Sequence, residues 1–310
     1  MGGDLFFKGF SLSPQEDAKT TGLPSCGRLI TRFTVLTFME GVPKVTVIGT
    51  CRVHHPLRNL EQRGKITLNN GGLGSFVHSS PEALLRLRVL LGLESYDKQF
   101  VKLQVGEAKD LRLTPEDDFD FSETDLLVVE LSTIKALSLL GQPLQFNEVN
   151  RHMCTPYDEF GKAIRKNLNV AFNTRAPSVE FPEIDAPENY PKEYIDLIKE
   201  LKPLVLDSFA ISTDINEMRK LADVPILLVN HINLPGSNGK LITSRNKLCN
   251  IINEYAEAEG VEVFNPAEMF RSHAPEELLM NDGKDLNHYA KDKLHIVGDI
   301  QLETILHALG

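Results

Sequence analysis

At 310 residues the chain is long enough for one large α/β domain with a sizeable insertion and a properly buried core. A formal net charge of -10 excludes a broad basic face, so no nucleic-acid partner is expected, while a local pocket for an anionic substrate stays open. Hydrophobic content of 42% and charged content of 25% fit a soluble globular protein, and no apolar run approaches the roughly 18 residues of a spanning helix.

Residues 1–43 read as an irregular N-terminal extension with an extended segment at Arg28–Phe38, and they lack the basic start and apolar run of a signal peptide. The α/β domain is expected over 44–310. Its first strand, Val45–Ile48, runs into Gly49-Thr50-Cys51-Arg52. A tight turn after a buried parallel strand places the next side chain at the carboxyl end of the sheet, where open α/β folds keep their sites. A thiol there, opening a helix beside Arg52, His54 and His55, is expected to be biased toward thiolate. The alternative is a structural core cysteine. Cys26, Cys51, Cys154 and Cys249 lie far apart with no C-x-x-C pair, which suits reduced thiols and a cytoplasmic location.

Lys65–Asn69 is a less apolar strand, nearer an edge. The loop Asn69-Asn70-Gly71-Gly72-Leu73-Gly74-Ser75 after it fails both the dinucleotide and the Walker spacing. Ser80-Pro81 then starts a helix through ALLRLRVLLGL. The strand Leu126–Val129 leads to Glu130-Leu131-Ser132-Thr133, whose hydroxyls can reach a site or cap a following helix. Residues 141–205, rich in Asn, Pro and acids, interrupt the rhythm as an insertion or lid with helix around Tyr157–Asn167 and Pro191–Leu201. Helical spacing returns at Ile215–Leu221 and Ser244–Ala258, with strands at Ile226–Val229 and Val261–Phe264 and a last helix from Tyr289 to Leu309. Short, continuously apolar strands alternating with helices define a three-layer, doubly wound, mostly parallel α/β fold. Just before the last helix, Asp285 stands three residues ahead of His288, a spacing that can orient the ring and leave one nitrogen as a general base.

Taken in order, these blocks resemble the SGNH/GDSL hydrolase superfamily, in particular its lysophospholipase and thioesterase members, and a flavodoxin-like sheet is implied. VTVIGTC stands at the nucleophile block, NNGGLGSFVHSS at the glycine block, VVELSTIK at the third, and LLMNDGKDLNHYA at the D-x-x-H block. The resemblance implies Cys51 in place of the nucleophilic serine, Asp285 and His288 as its partners, and Gly74 as an oxyanion donor. The third-block asparagine is absent; Ser132, Thr133, Asn230 and His231 are the candidates to replace it. The Gly-x-Cys turn is also similar to that of the GSCFA and WcbI-like branches. The activity implied by the resemblance is acyl transfer from an ester or thioester through an acyl-cysteine, by an esterase, thioesterase or acyltransferase acting on a small-molecule substrate. No cofactor is required, although acyl-CoA can serve as donor, and Arg52 either binds a substrate anion or pairs with the acidic surface. The competing readings are a ligand-binding protein with a degenerate pocket, and a metal site of His54, His55, His288 and Cys51, which no ligand spacing supports.

Overall fold

The computed structural model describes residues 41–71, 73, 76–106, 113–116, 119–235 and 241–310. The extended segment expected at Arg28–Phe38 and the glycine at position 74 lie outside them. In chain order the strands are β1 (Lys44–Ile48), β2 (Thr67–Leu68), β3 (Leu126–Glu130), β4 (Lys135–Leu139), β5 (Gln142–Leu144), β6 (Leu201–Val205), β7 (Ile226–Val229) and β8 (Glu262–Phe264). The longer helices are α1 (Cys51–Gln62), α2 (Ser80–Leu90), α3 (Asp158–Thr174), α4 (Lys192–Glu200), α5 (Ser208–Ala222), α6 (Thr243–Glu259) and α7 (Leu294–Ala308).

The main sheet runs β2-β1-β3-β7-β8, and every pairing in it is parallel. That order is the doubly wound, flavodoxin-like one, with its switch point beside β1. The apolar runs are explained by burial on both faces. Ile48, Leu127, Val129, Ile226 and Leu228 pack into the layer with α2, α5 and α6. Val45, Val47, Leu126, Val128, Leu227 and Val229 pack into the layer with α1 and α7. Alternate residues of each strand point to opposite faces, so a strand covered twice must be apolar throughout. The strand expected at Lys65–Asn69 is β2, at the sheet edge as expected but reduced to two residues.

Residues 135–205 hold a second, antiparallel sheet of order β5-β4-β6. The hairpin between β4 and β5 turns on Leu140 and Gly141, with φ of 51° and 84°. Two successive positive φ values suit a tight two-residue hairpin, and the glycine takes the second without strain. This sheet and α3 enclose their own core, with Leu137, Leu139, Phe160, Ile164, Leu168, Ile198 and Leu201 fully or nearly fully buried. The helices expected within 141–205 are α3 and α4. The last helix starts later than its apolar spacing suggested. Tyr289 is instead buried and forms an isolated antiparallel bridge with Leu279, and α7 begins at Leu294. Among the described residues no helix is long and apolar enough to cross a membrane.

Candidate active site

The turn after β1 is shaped by close approach. A Cβ at Gly49 would lie 2.7 Å from both Glu130 Cβ and Val53 Cγ1, so only glycine lets β1 pass β3 here. Thr50 is the extended N-cap of α1, and its hydroxyl accepts from the Arg52 amide. Cys51 opens the helix, half-buried, on a cavity of about 570 Å³ at the carboxyl end of the sheet. Ser132, Thr133, His231, Arg245 and His288 line the same cavity.

The thiol is not the thiolate its neighbours suggested. Burial is the largest influence and pushes the Cys51 thiol up; Arg52 and the first amides of the helix oppose it, and Glu130 adds to the rise. The electropositive surroundings expected from sequence are outweighed by burial, and Glu130 works against Arg52. Arg52 Nε lies 2.7 Å from Glu130 Oε1, in an ion pair with a buried carboxylate rather than with the acidic surface, and Arg52 also lines the cavity. His54, beside the Phe76 ring, is pulled down to about 4, chiefly by burial, and His55 is lowered for the same first reason.

The histidine loop is closed by the Leu279–Tyr289 bridge and by Met280 N donating to His288 O at 3.0 Å. Within it Asp285 Oδ2 lies 2.9 Å from His288 Nδ1, and Asp285 Oδ1 accepts from Asn287 N at 2.8 Å. The bond from His288 is the main reason the Asp285 carboxyl is held below the usual range. A carboxylate only accepts, so Nδ1 carries a proton, and in the neutral ring Nε2 then keeps its lone pair. Arg245, near the start of α6, ties this loop down. It donates to Leu286 O at 2.7 Å, to Ile232 O at 3.2 Å and to the side-chain oxygen of Asn287. Burial, then Arg52, lowers Arg245 to about 10.

The expected substitutes for the missing asparagine fare unequally. The amides of Ser132 and Thr133 both donate to His78 O, at 2.8 and 3.1 Å, and the Ser132 hydroxyl also reaches that oxygen at 3.4 Å, so a ligand would have to draw the Ser132 hydroxyl away from it. Nor does either cap a helix: β4 comes next, and Thr133 Oγ1 accepts from Lys135 N at 3.0 Å. Asn230 is buried with its Nδ2 donating to Asn253 Oδ1 at 2.7 Å, and it is not among the residues of the cavity wall. His231 is on the wall, but burial lowers it to about 3, and its Nδ1 bonds Ile232 O at 2.8 Å. A neutral ring that donates from Nδ1 has only an acceptor at Nε2, which cannot stabilise an oxyanion.

Sequence reasoning passed over Glu130 and Arg245, and also the far wall. Phe146 and Asn147, after β5, line the cavity with Lys135, and Asn147 Nδ2 lies 3.1 Å from His78 Nε2. The short apolar signal around Phe146 could have marked the segment as buried, but nothing in the sequence says against what. Among the described residues no group of three or more His, Cys, Asp or Glu side chains is placed to hold a metal ion.

A cysteine at the first helical turn after a parallel strand, sharing a cavity with the histidine of an Asp–His pair, marks a doubly wound α/β protein with its candidate site at the sheet's carboxyl end. Residues 43–303 match the TviD N-terminal domain family, and the chain belongs to it. The Vi polysaccharide biosynthesis protein TviD of Salmonella typhi is 22% identical over 259 residues, covering 81% of this chain and 30% of that protein. The chain therefore spans under a third of the relative's length. Among solved structures, a GDSL-like lipase from Bacteroides thetaiotaomicron is similar at 12% identity and a TM-score of 0.35, over 86% of this chain and 87% of that one. An acetyl xylan esterase aligns at 9% identity and a TM-score of 0.37, over 84% of this chain and 99% of that one. A catalytic mutant of an acetylxylan esterase from Geobacillus stearothermophilus aligns at 11% identity and a TM-score of 0.36, over 87% of this chain and 95% of that one.

Proposed function

We propose that this chain is an SGNH/GDSL-like acyl-transfer enzyme that works through an acyl-cysteine at Cys51. The observation that carries the reading is the shared cavity of Cys51 and His288, with Asp285 2.9 Å from the far ring nitrogen of the histidine. His288 Nε2 takes the thiol proton as Sγ bonds the carbonyl carbon of an ester or thioester. The tetrahedral intermediate collapses, the donor's C–O or C–S bond breaks, and the imidazolium returns the proton to the leaving group. Water or an acceptor hydroxyl then attacks the acyl-cysteine, losing its proton to His288 and releasing the thiol. The chemistry calls only for the protein's own groups and an acyl donor, for which an acyl-CoA is suitable.

Support for an oxyanion site is narrower. The Cys51 amide, Gly74 and the hydroxyls of Ser132 and Thr133 are the donors assigned to it, each able to contribute a few kcal/mol in a dry site. Phe146 and Asn147 line the cavity, which supports a substrate-covering role for the start of the 141–205 segment. Because the relative is named for polysaccharide biosynthesis, a glycan hydroxyl belongs in the acceptor panel beside water.

The test is intact mass after incubation with acyl-CoAs and activated esters. An acyl increment on the wild type that is absent from Cys51→Ala is expected. No adduct and no turnover with any donor would favour a ligand-binding protein instead.

A further inference from the structure

Glu130 ends β3 with only 1% of its surface exposed. Its Oε2 accepts from Thr50 N at 2.8 Å and from Thr50 Oγ1 at 2.5 Å, and its Oε1 accepts from Arg52 Nε at 2.7 Å. One carboxylate thus grips the residues on either side of Cys51 and leaves the cysteine itself to the cavity. A carboxylate is tolerated at such depth only when it is both paired and hydrogen-bonded, and this one is both. The fit extends to the backbone, since Glu130 Cβ is one of the atoms that forbid a side chain at Gly49.

We propose that Glu130 is the positioning residue of the nucleophile: by gripping Thr50 and Arg52 it locks the turn around Cys51, and its charge opposes that of Arg52 beside the sulfur. The proposal rests on Cys51 being the acyl nucleophile. The charged and titratable groups around the thiol come from every neighbouring element: Arg52, His54 and His55 on α1, His78 and Glu82 at the start of α2, Glu130 on β3, Lys135 on β4, His231 after β7, Arg245 on α6, and Asp285 with His288. Burial keeps His54 and His231 neutral near pH 7, and Arg245 is engaged by three neutral oxygens. That leaves Arg52 as the cation with most leverage on the sulfur and Glu130 as the charge that opposes it, and these are the two charges that act on the thiol in opposite directions. A thiol ionised only when a base removes its proton also escapes the oxidation to which standing thiolates are prone.

The experiment is the pH dependence of Cys51 alkylation by iodoacetamide, read at the Cys51 peptide by mass spectrometry. Glu130→Gln keeps the shape and removes the charge, and its alkylation midpoint is expected to fall by about one pH unit or more. Arg52→Gln should move the midpoint upward, and the double variant should return it toward wild type. Should Glu130→Gln fail to fold, the Arg52→Gln and double variants still decide the matter through the sign of their shifts. Folded variants whose midpoints match the wild type, or shift in one common direction, overturn the proposal. Alkylation needs no acyl donor, so failure of the acyl-transfer reading shows separately, as a wild-type protein that takes up no acyl group while its midpoints still shift.

Discussion

The Arg245 guanidinium donates to the backbone carbonyl of Leu286 at 2.7 Å, joining the start of α6 to the loop between Asp285 and His288. The same side chain reaches Ile232 O and the Asn287 side chain, so one fork spans two loops. Lysine carries the charge and three donors, but all on one nitrogen, without the planar fork that lets Arg245 bond Ile232 and Leu286 from Nη1 and Asn287 from Nη2. Arg245→Lys is expected to lower kcat for acyl transfer about 100-fold, the cost of a displacement near 1 Å, with KM changing much less. Millimolar guanidinium should partly restore Arg245→Ala. A loss confined to thermal stability, with kcat intact, would reduce Arg245 to a structural strut.

Gly49 makes a sharper structural prediction. The atoms that an alanine methyl would meet, Glu130 Cβ and Val53 Cγ1, are anchored close to their backbones and cannot swing aside. Overpacking of this kind costs about 1–3 kcal/mol. Gly49→Ala should therefore lower the urea midpoint at unchanged m-value and weaken the grip of Glu130 on Thr50. A midpoint equal to the wild type would mean that the turn has slack the contacts do not suggest.

Much of this arrangement was legible in the sequence because it is local. Continuous apolar runs such as LLVV report a strand covered on both faces, and the Asp285–His288 pair lies within one loop. What escaped is non-local. Glu130 reads as the polar end of a strand until Thr50 and Arg52, some 80 residues away in sequence, close on it. Arg245 looks like any charged residue in a first helical turn, and its partners at Leu286 and Asn287 are 41 and 42 residues off. The second sheet was missed because β6, LKPLV, carries a proline and alternates buried with exposed, which reads weakly as a strand inside an Asn- and Pro-rich stretch. Charge proximity also misled: Arg52 and the histidines adjoin Cys51 in sequence, yet burial of the thiol outweighs Arg52, and burial also holds His54 neutral.

Asp285 orients His288 without being buried deeply itself, so its contribution rests on geometry and tautomer more than on a dry electrostatic field. Asp285→Asn can donate to Nδ1 and so favours the tautomer whose Nε2 bears the proton, which cannot act as base. We expect kcat to drop on the order of 10²–10⁴-fold, with the Cys51 alkylation midpoint moving far less than in Glu130→Gln. Steady-state kinetics beside the alkylation curve separate the two roles. Equal effects on both would argue that Asp285 acts on the thiol through the general field instead.

Two histidines, the half-buried His54 and the buried His231, set an acid limit on the fold. In the unfolded chain His54 and His231 take up protons as the pH falls through about 6.5. In the folded protein burial holds them neutral down to about 4 and about 3. Between those limits the unfolded state binds more protons, so stability is full above about pH 6.5 and is lost as the pH falls toward the native values. The melting temperature should therefore decline from about pH 7 to about pH 5, before most carboxylates titrate. In the double variant His54→Gln, His231→Asn that slope should flatten, even if the variant is less stable at neutral pH. A slope identical to the wild type would show that the acid sensitivity arises elsewhere.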